Sequence, residues 1–201
     1  MRRTDLYRVD GLRVPSVTEV LKLAGVAEGF GMVPPEVLET ARARGALVHE
    51  ITELIDLGHL DPAEPVMEGA QGYVDAYLKF KEEAGFEVEA IEKVVVNDLY
   101  RYAGTIDRLG QCEKLRRKGR RVVDLKCVAQ VSKATRLQVA GYAEAAKIDV
   151  WSSLQLFPNG RYKHVEYSQD GELQDKHDFL ACVRVAHFKL SHGMAELEQA
   201  A

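Results

Sequence analysis

Val122-Val123-Asp124-Leu125-Lys126-Cys127 reads as a β-strand with two charged residues set among apolar ones. Residues two apart in a strand face the same side, so Asp124 and Lys126 project together while Val123 and Leu125 face away. A charged pair in so apolar a run is costly unless a metal, a functional cleft or solvent at a sheet edge compensates it. The triplet alone decides little: about two acidic-x-Lys matches are expected by chance, and the chain contains one. Its surroundings carry more weight. Upstream, Tyr102-Ala103-Gly104-Thr105-Ile106-Asp107-Arg108 is a second strand. Gly104 marks a place where another group approaches closely, and Asp107 is of a type depleted in strands. If the two strands pair around the intervening turn, Asp107 and Asp124 lie side by side. Such neighbours repel unless a cation holds them, and oxygen-rich ligation suits magnesium or manganese. Two unrelated surface aspartates are the alternative.

Working outward, Tyr7 to Val14 reads as a hairpin turning at Asp10-Gly11. Ser16-Val17-Thr18-Glu19 is a capping box opening a helix through Leu23. A longer helix is predicted from Pro34-Pro35 to Gly58, and another from Ala63 to Ala84. Three strands follow, over Phe86–Val96, Tyr100–Gln111 and Arg121–Val128. Ser132 caps a helix through Lys147. Strands over Val150–Phe157 and Tyr162–Tyr167 flank Asn159-Gly160, and a final helix covers Leu173 to Met194. The order predicts an α/β (α+β) fold with a central mixed sheet flanked by helices. The helix between the third and fourth strands permits a right-handed crossover that makes those strands parallel. One domain over residues 1–201 is the simplest division, with the motif-bearing core at about 40–168.

At 201 residues with 46% apolar and 29% charged content, the chain has the make-up of a globular protein rather than a disordered one. No apolar run approaches the roughly 20 residues that span a bilayer, and Met1-Arg2-Arg3-Thr4-Asp5 lacks a signal peptide's apolar stretch. A cytoplasmic protein with no membrane partner is expected. The three cysteines, Cys112, Cys127 and Cys182, are widely spaced and suggest neither disulfides nor a zinc ribbon. The net charge of −4 does not favour nucleic acid as a partner, yet basic residues gather in Lys114-Leu115-Arg116-Arg117-Lys118-Gly119-Arg120-Arg121. That run is either a solvated hairpin tip or a phosphate contact.

The helices add Arg42-Ala43-Arg44-Gly45-Ala46-Leu47-Val48-His49 and, on a later one, Gln138 with Tyr142, four apart on one face. A lone helical histidine is more often structural than a ligand, and the second histidine of a zinc-protease motif is lacking. Together these segments resemble the RecB-like, phage-type exonuclease branch of the PD-(D/E)XK nuclease superfamily, and are similar to those of the mitochondrial genome maintenance exonuclease. The matching segments are Arg44-Gly45-x-x-x-His49, Gly104-x-x-Asp107, Asp124-Leu125-Lys126 and Gln138-x-x-x-Tyr142. Pro15-Ser16-Val17-Thr18-Glu19-Val20-Leu21 resembles the way such chains open.

The resemblance implies the restriction-endonuclease-like αβββαβ core and a Mg²⁺- or Mn²⁺-dependent DNA exonuclease of recombination, repair or end processing. A structure-specific or restriction-like endonuclease and a silent DNA-binding module are the alternatives. It implies that Asp107, Asp124 and Lys126 are catalytic, with His49, Asp107, Asp124 and the backbone carbonyl of Leu125 as metal ligands. Glu92 matches a further acidic position. Gln138 and Tyr142 would position the DNA backbone. Arg42, Arg44, Arg108, Arg116, Arg117 and Lys118 are candidates for gripping flanking phosphates. The partners implied are DNA ends or single-stranded tails, with a recombinase, helicase or single-strand-binding protein beside them. The cysteines of an iron–sulfur cluster are missing, so none is expected. Cys127 stands where these enzymes often carry threonine.

Overall fold

Local signals account for the order of elements. In the computed structural model, which describes residues 7–27, 34–167 and 172–197, a hairpin of β1 (Arg8–Val9) and β2 (Leu12–Arg13) comes first. Asp10 and Gly11 at its tip both have positive φ, as a type I′ turn requires. Ser16 and Glu19 exchange both bonds of a capping box and start α1 (Val17–Ala24). Helices α2 (Pro35–Asp56) and α3 (Glu68–Ala84) follow. The third helix begins later than the expected Ala63, because Pro65 disfavours helical backbone at Glu64.

Strands β3 (Phe86–Asn97), β4 (Tyr102–Cys112) and β5 (Gly119–Lys126) form an antiparallel meander. Helix α4 (Thr135–Ala146) then crosses to β6 (Trp151–Leu156), which runs parallel to β5. Strand β7 (Tyr162–Glu166) returns antiparallel, and α5 (Glu172–Ser191) follows. The five-stranded order β3-β4-β5-β6-β7, with α3 before it and α4 as the crossover, follows the αβββαβ order that the sequence resemblance implied. Several ends differ from expectation: β4 opens at Tyr102 rather than Tyr100, β5 at Gly119 rather than Arg121, and α5 closes at Ser191 rather than Met194. Strand β5 stops at Lys126 rather than Val128, where Gln155 Nε2 donates to the carbonyls of Val128 and Ala129 at 2.8 and 3.0 Å. Ser132 lies ahead of α4, its hydroxyl accepting from the Ala134 N–H at 3.1 Å, and Ala134 is the cap.

Both faces of the sheet are covered. Val48, Ile51, Tyr77 and Phe80 of α2 and α3 pack on Val123, Leu125, Leu154 and Leu156. On the other face Val17, Val139 and Phe179, from α1, α4 and α5, pack on Ile106, Leu109, Val122 and Trp151. Double coverage buries Arg121 to Leu125 of β5 and every residue of β6, polar ones included. Among the described residues, no helix is long and apolar enough to cross a membrane.

Candidate active site

The site lies where β4 and β5 stop pairing. Their ladder runs from Cys112↔Gly119 to Arg108↔Val123, and Asp107 and Asp124 occupy the next step. There Asp107 Oδ2 accepts from the Leu125 N–H at 2.7 Å, so a carboxylate takes over a ladder bond. Leu125 thus meets the site through its backbone N–H, adjacent to the carbonyl implied as a ligand. On the other side of β4, Ile91↔Arg108 and Lys93↔Ile106 bracket Glu92 opposite Asp107. Glu92, Asp107 and Asp124 therefore form a row across three strands.

The backbone is distorted at this row. Glu92 has φ 45°, a left-handed conformation that costs a non-glycine residue roughly 1–2 kcal/mol. Ile106 and Leu109 both join the core beneath α1, α4 and α5. An odd spacing cannot share one face of a regular strand, so alternation along β4 breaks around Asp107. Such breaks re-aim side chains and are common beside active sites.

Helix α2 brings in His49. Its Nδ1 lies 3.8 Å from Glu92 Oε1 and 3.9 Å from Asp107 Oδ1, and ligand atoms of the three residues fall within 4.8 Å of one another. Burial opposes a charge on the imidazole, but Glu92, Asp107 and Asp124 outweigh it and raise the pKa of His49. Asp107 is pushed up to about 6, by burial first and by the neighbouring Asp124 second. Asp124 is only 2% exposed. Its Oδ2 lies 2.8 Å from Lys126 Nζ as an ion pair. Clustered carboxylates beside an imidazole nitrogen suit a divalent cation.

Lys126 Nζ also donates to Gln138 Oε1 at 3.4 Å, and Gln138 Nε2 donates to the Tyr142 hydroxyl at 3.0 Å. Burial disfavours the charge on Lys126, yet Asp124 and Asp107 more than offset it, so its pKa is raised. The lysine is held as a cation. Gly104 makes room for this array, since a Cβ there would stand 2.6 Å from Tyr142 Cε1. The close approach read from Gly104 is that of the tyrosine ring.

The basic residues divide. Arg42 is exposed on α2, and Arg44 lies with its guanidinium 5.5 Å from the centre of the Tyr73 ring. Arg108 is a correction: it is fully buried and paired with Asp56 at 2.7 Å, so its guanidinium is not presented at the surface as a phosphate contact requires. The alternation break turns it toward α2. Within the basic run, Arg121 is also buried, against Glu166 at 2.8 Å. Arg120 pairs with Glu89 at 2.6 Å, and Arg117 donates to the Asp149 carbonyl at 3.3 Å. Arg116 and Lys118 are exposed at the turn. From Asp107 to Cys112 alone the chain rises about 17 Å, so this turn does not line the acidic row.

Three residues near the site were missed by sequence reasoning. Ser153 pairs in register with Asp124 and is hydrogen-bonded to the Tyr167 hydroxyl at 2.8 Å; the signal was a serine pair inside an apolar strand. Thr52 and Asp56 lie three and seven residues beyond His49, on one stripe of α2. An open cleft of about 510 Å³ lined by Gly45, Ala46, His49, Glu50, Glu53 and Glu92 gives access from the α2 side.

No protein-family model matches the chain, and no curated protein sequence matches it. Solved structures align with the chain at low identity. Over 92% of this chain and 80% of the other, the protein SSO0001 is 12% identical with a TM-score of 0.46. The exonuclease LHK-Exo, in complex with dAMP, is 11% identical with a TM-score of 0.43, over 90% of this chain and 94% of that one. A phage-related exonuclease from Haemophilus somnus is 13% identical with a TM-score of 0.41, over 96% of this chain and all of the other (100%). The strand order, the parallel β5–β6 step and the crossover helix α4 are those that the sequence resemblance implied.

Proposed function

We propose that the chain is a divalent-metal-dependent nuclease that hydrolyses DNA phosphodiester bonds, acting on ends as an exonuclease. The observation that carries the reading is the row Glu92–Asp107–Asp124, faced by His49 and flanked by Lys126. His49, Glu92, Asp107 and Asp124 would hold Mg²⁺ or Mn²⁺. A divalent ion so held lowers the pKa of water and offsets phosphate charge, which lets a protein without a nucleophilic side chain cleave a phosphodiester. The single imidazole nitrogen among carboxylates makes Mn²⁺ an effective substitute for Mg²⁺.

The chain's own groups divide the remaining work. Lys126, kept protonated by Asp124 and Asp107, donates hydrogen bonds and balances charge at the scissile phosphate rather than acting as a free base. Gln138 and Tyr142 fix its ammonium from the α4 side. Arg42 and Arg44, one to two turns before His49 on α2, supply contacts to phosphates beside the cleft.

The test uses end-labelled linear DNA and closed circular DNA, each with Mg²⁺, Mn²⁺ or EDTA, alongside Asp124→Ala. Metal-dependent loss of linear DNA only, abolished in the variant, is the expected result. Cleavage of circles would make the enzyme an endonuclease. Silence with every metal, combined with tight DNA binding, would replace the nuclease by a binding module.

A further inference from the structure

Arg108 is the residue that the function leaves unexplained. It follows Asp107 directly, its side chain is fully buried, and each of its guanidinium nitrogens is committed. Nε donates to Asp56 Oδ2 at 2.7 Å, NH1 to the backbone carbonyl of Asp107 at 2.8 Å, and NH2 to Thr52 Oγ1 at 2.9 Å. The Thr52 hydroxyl in turn shares its one hydrogen between the carbonyls of Val48 and His49, at 2.9 and 3.0 Å. One planar group therefore grips the Asp107 carbonyl directly and the His49 carbonyl through a single hydroxyl. The opposite end of the network is anchored on α3, where Tyr77 Oη and Lys81 Nζ each donate to Asp56 at 2.5 Å.

This arrangement is expensive. A buried ion pair is often no more stabilising than apolar side chains of equal volume, because both charges lose their hydration. What it provides is geometry. His49 Nδ1 and Asp107 Oδ1 are 3.9 Å apart and are held together by no hydrogen bond among those described. We propose that Arg108, with Thr52 and Asp56, is a positioning device that sets the spacing of His49 on α2 and Asp107 on β4 for a divalent cation. The proposal rests on the metal-site reading above. Arginine is needed because only its rigid fork meets three acceptors in one plane; lysine offers one flexible nitrogen.

The experiment is Mn²⁺ titration calorimetry on the full chain without DNA, paired with thermal unfolding in EDTA. The variants are Thr52→Val, Thr52→Ser and Arg108→Lys. Thr52→Val keeps the side-chain shape and cuts only the hydroxyl link, so it folds even if Arg108→Lys does not. The expected result is a loss of Mn²⁺ affinity of about 10-fold or more in Thr52→Val, the scale for groups that orient metal ligands. Thr52→Ser restores most of that affinity, and Arg108→Lys, if folded, shows the same loss as Thr52→Val. Wild-type affinity in Thr52→Val, whatever its melting temperature, overturns the proposal and leaves the nuclease reading standing. So does an affinity loss that Thr52→Ser fails to restore. A flat titration of the wild-type protein at millimolar Mn²⁺ overturns the metal reading itself, and the proposal with it.

Discussion

Asp107 shows the cost of assembling such a site. Its native pKa of about 6 lies above the roughly 3.9 of an unperturbed aspartate, so the native state binds this proton more tightly than the unfolded chain. Its contribution to the metal-free protein is therefore fully present below about pH 4 and is lost as pH rises through about 6. Asp107→Asn keeps an acceptor for the Leu125 N–H and removes the charge. At pH 7.5 in EDTA this variant is expected to be more stable than wild type by about 1–3 kcal/mol, read as a higher melting temperature, while its cleavage is lost. An equal or lower melting temperature would count against the crowded-carboxylate reading. The same shift predicts that wild-type Mn²⁺ affinity, followed by calorimetry, falls as pH drops from 7 to 5, because protons compete for Asp107. For Lys126→Ala, turnover should drop by about 10²-fold or more while circular dichroism stays native; activity within a few-fold of wild type would remove Lys126 from the chemistry.

At the scale of elements, the site depends on how α4 seats against β4. A methyl group at Gly104 would stand 2.6 Å from Tyr142 Cε1 and 3.1 Å from Val17 Cγ2. Gly104→Ala is expected to cost about 1–3 kcal/mol, as overpacking of a filled core does, and to lower activity by displacing Tyr142 from Gln138. Urea denaturation with a parallel nuclease assay measures both, and an unaffected midpoint would show that the ring moves aside freely. The β4–β5 turn is a separate matter. Arg116 and Lys118 are exposed there, well away from the acidic row. Replacing both by alanine should make the salt dependence of binding to long DNA shallower, by about one log–log unit for each phosphate that is no longer neutralised. An unchanged slope would exclude the turn from the DNA path.

For the whole molecule, an ion held by the proposed ligands on α2, β3, β4 and β5 would couple the site to global stability. Mn²⁺ at 100 times its dissociation constant should stabilise the protein by about 2.7 kcal/mol, seen as a melting temperature that rises with metal and returns with EDTA; no rise at saturating metal would contradict the proposed ligand set. Much of this molecule was legible in the chain itself. Period-two alternation, the Asp10-Gly11 and Asn159-Gly160 turns and the Ser16 capping box are local, so they marked the elements to within a few residues. The parallel β5–β6 step followed from a helix intervening between two strands. Same-face projection of Asp124 and Lys126 followed from strand geometry and appears as their 2.8 Å contact. What tertiary structure alone decided begins at the alternation break around Asp107. A regular strand rule does not foresee the positive φ of Glu92 or the turning of Arg108 into the core, so a residue expected on phosphate lies instead against Asp56. Nor does helical spacing reveal that His49 meets Glu92 and Asp107. Those contacts join residues more than forty positions apart, and only packing α2 across one face and α4 across the other brings them to one point.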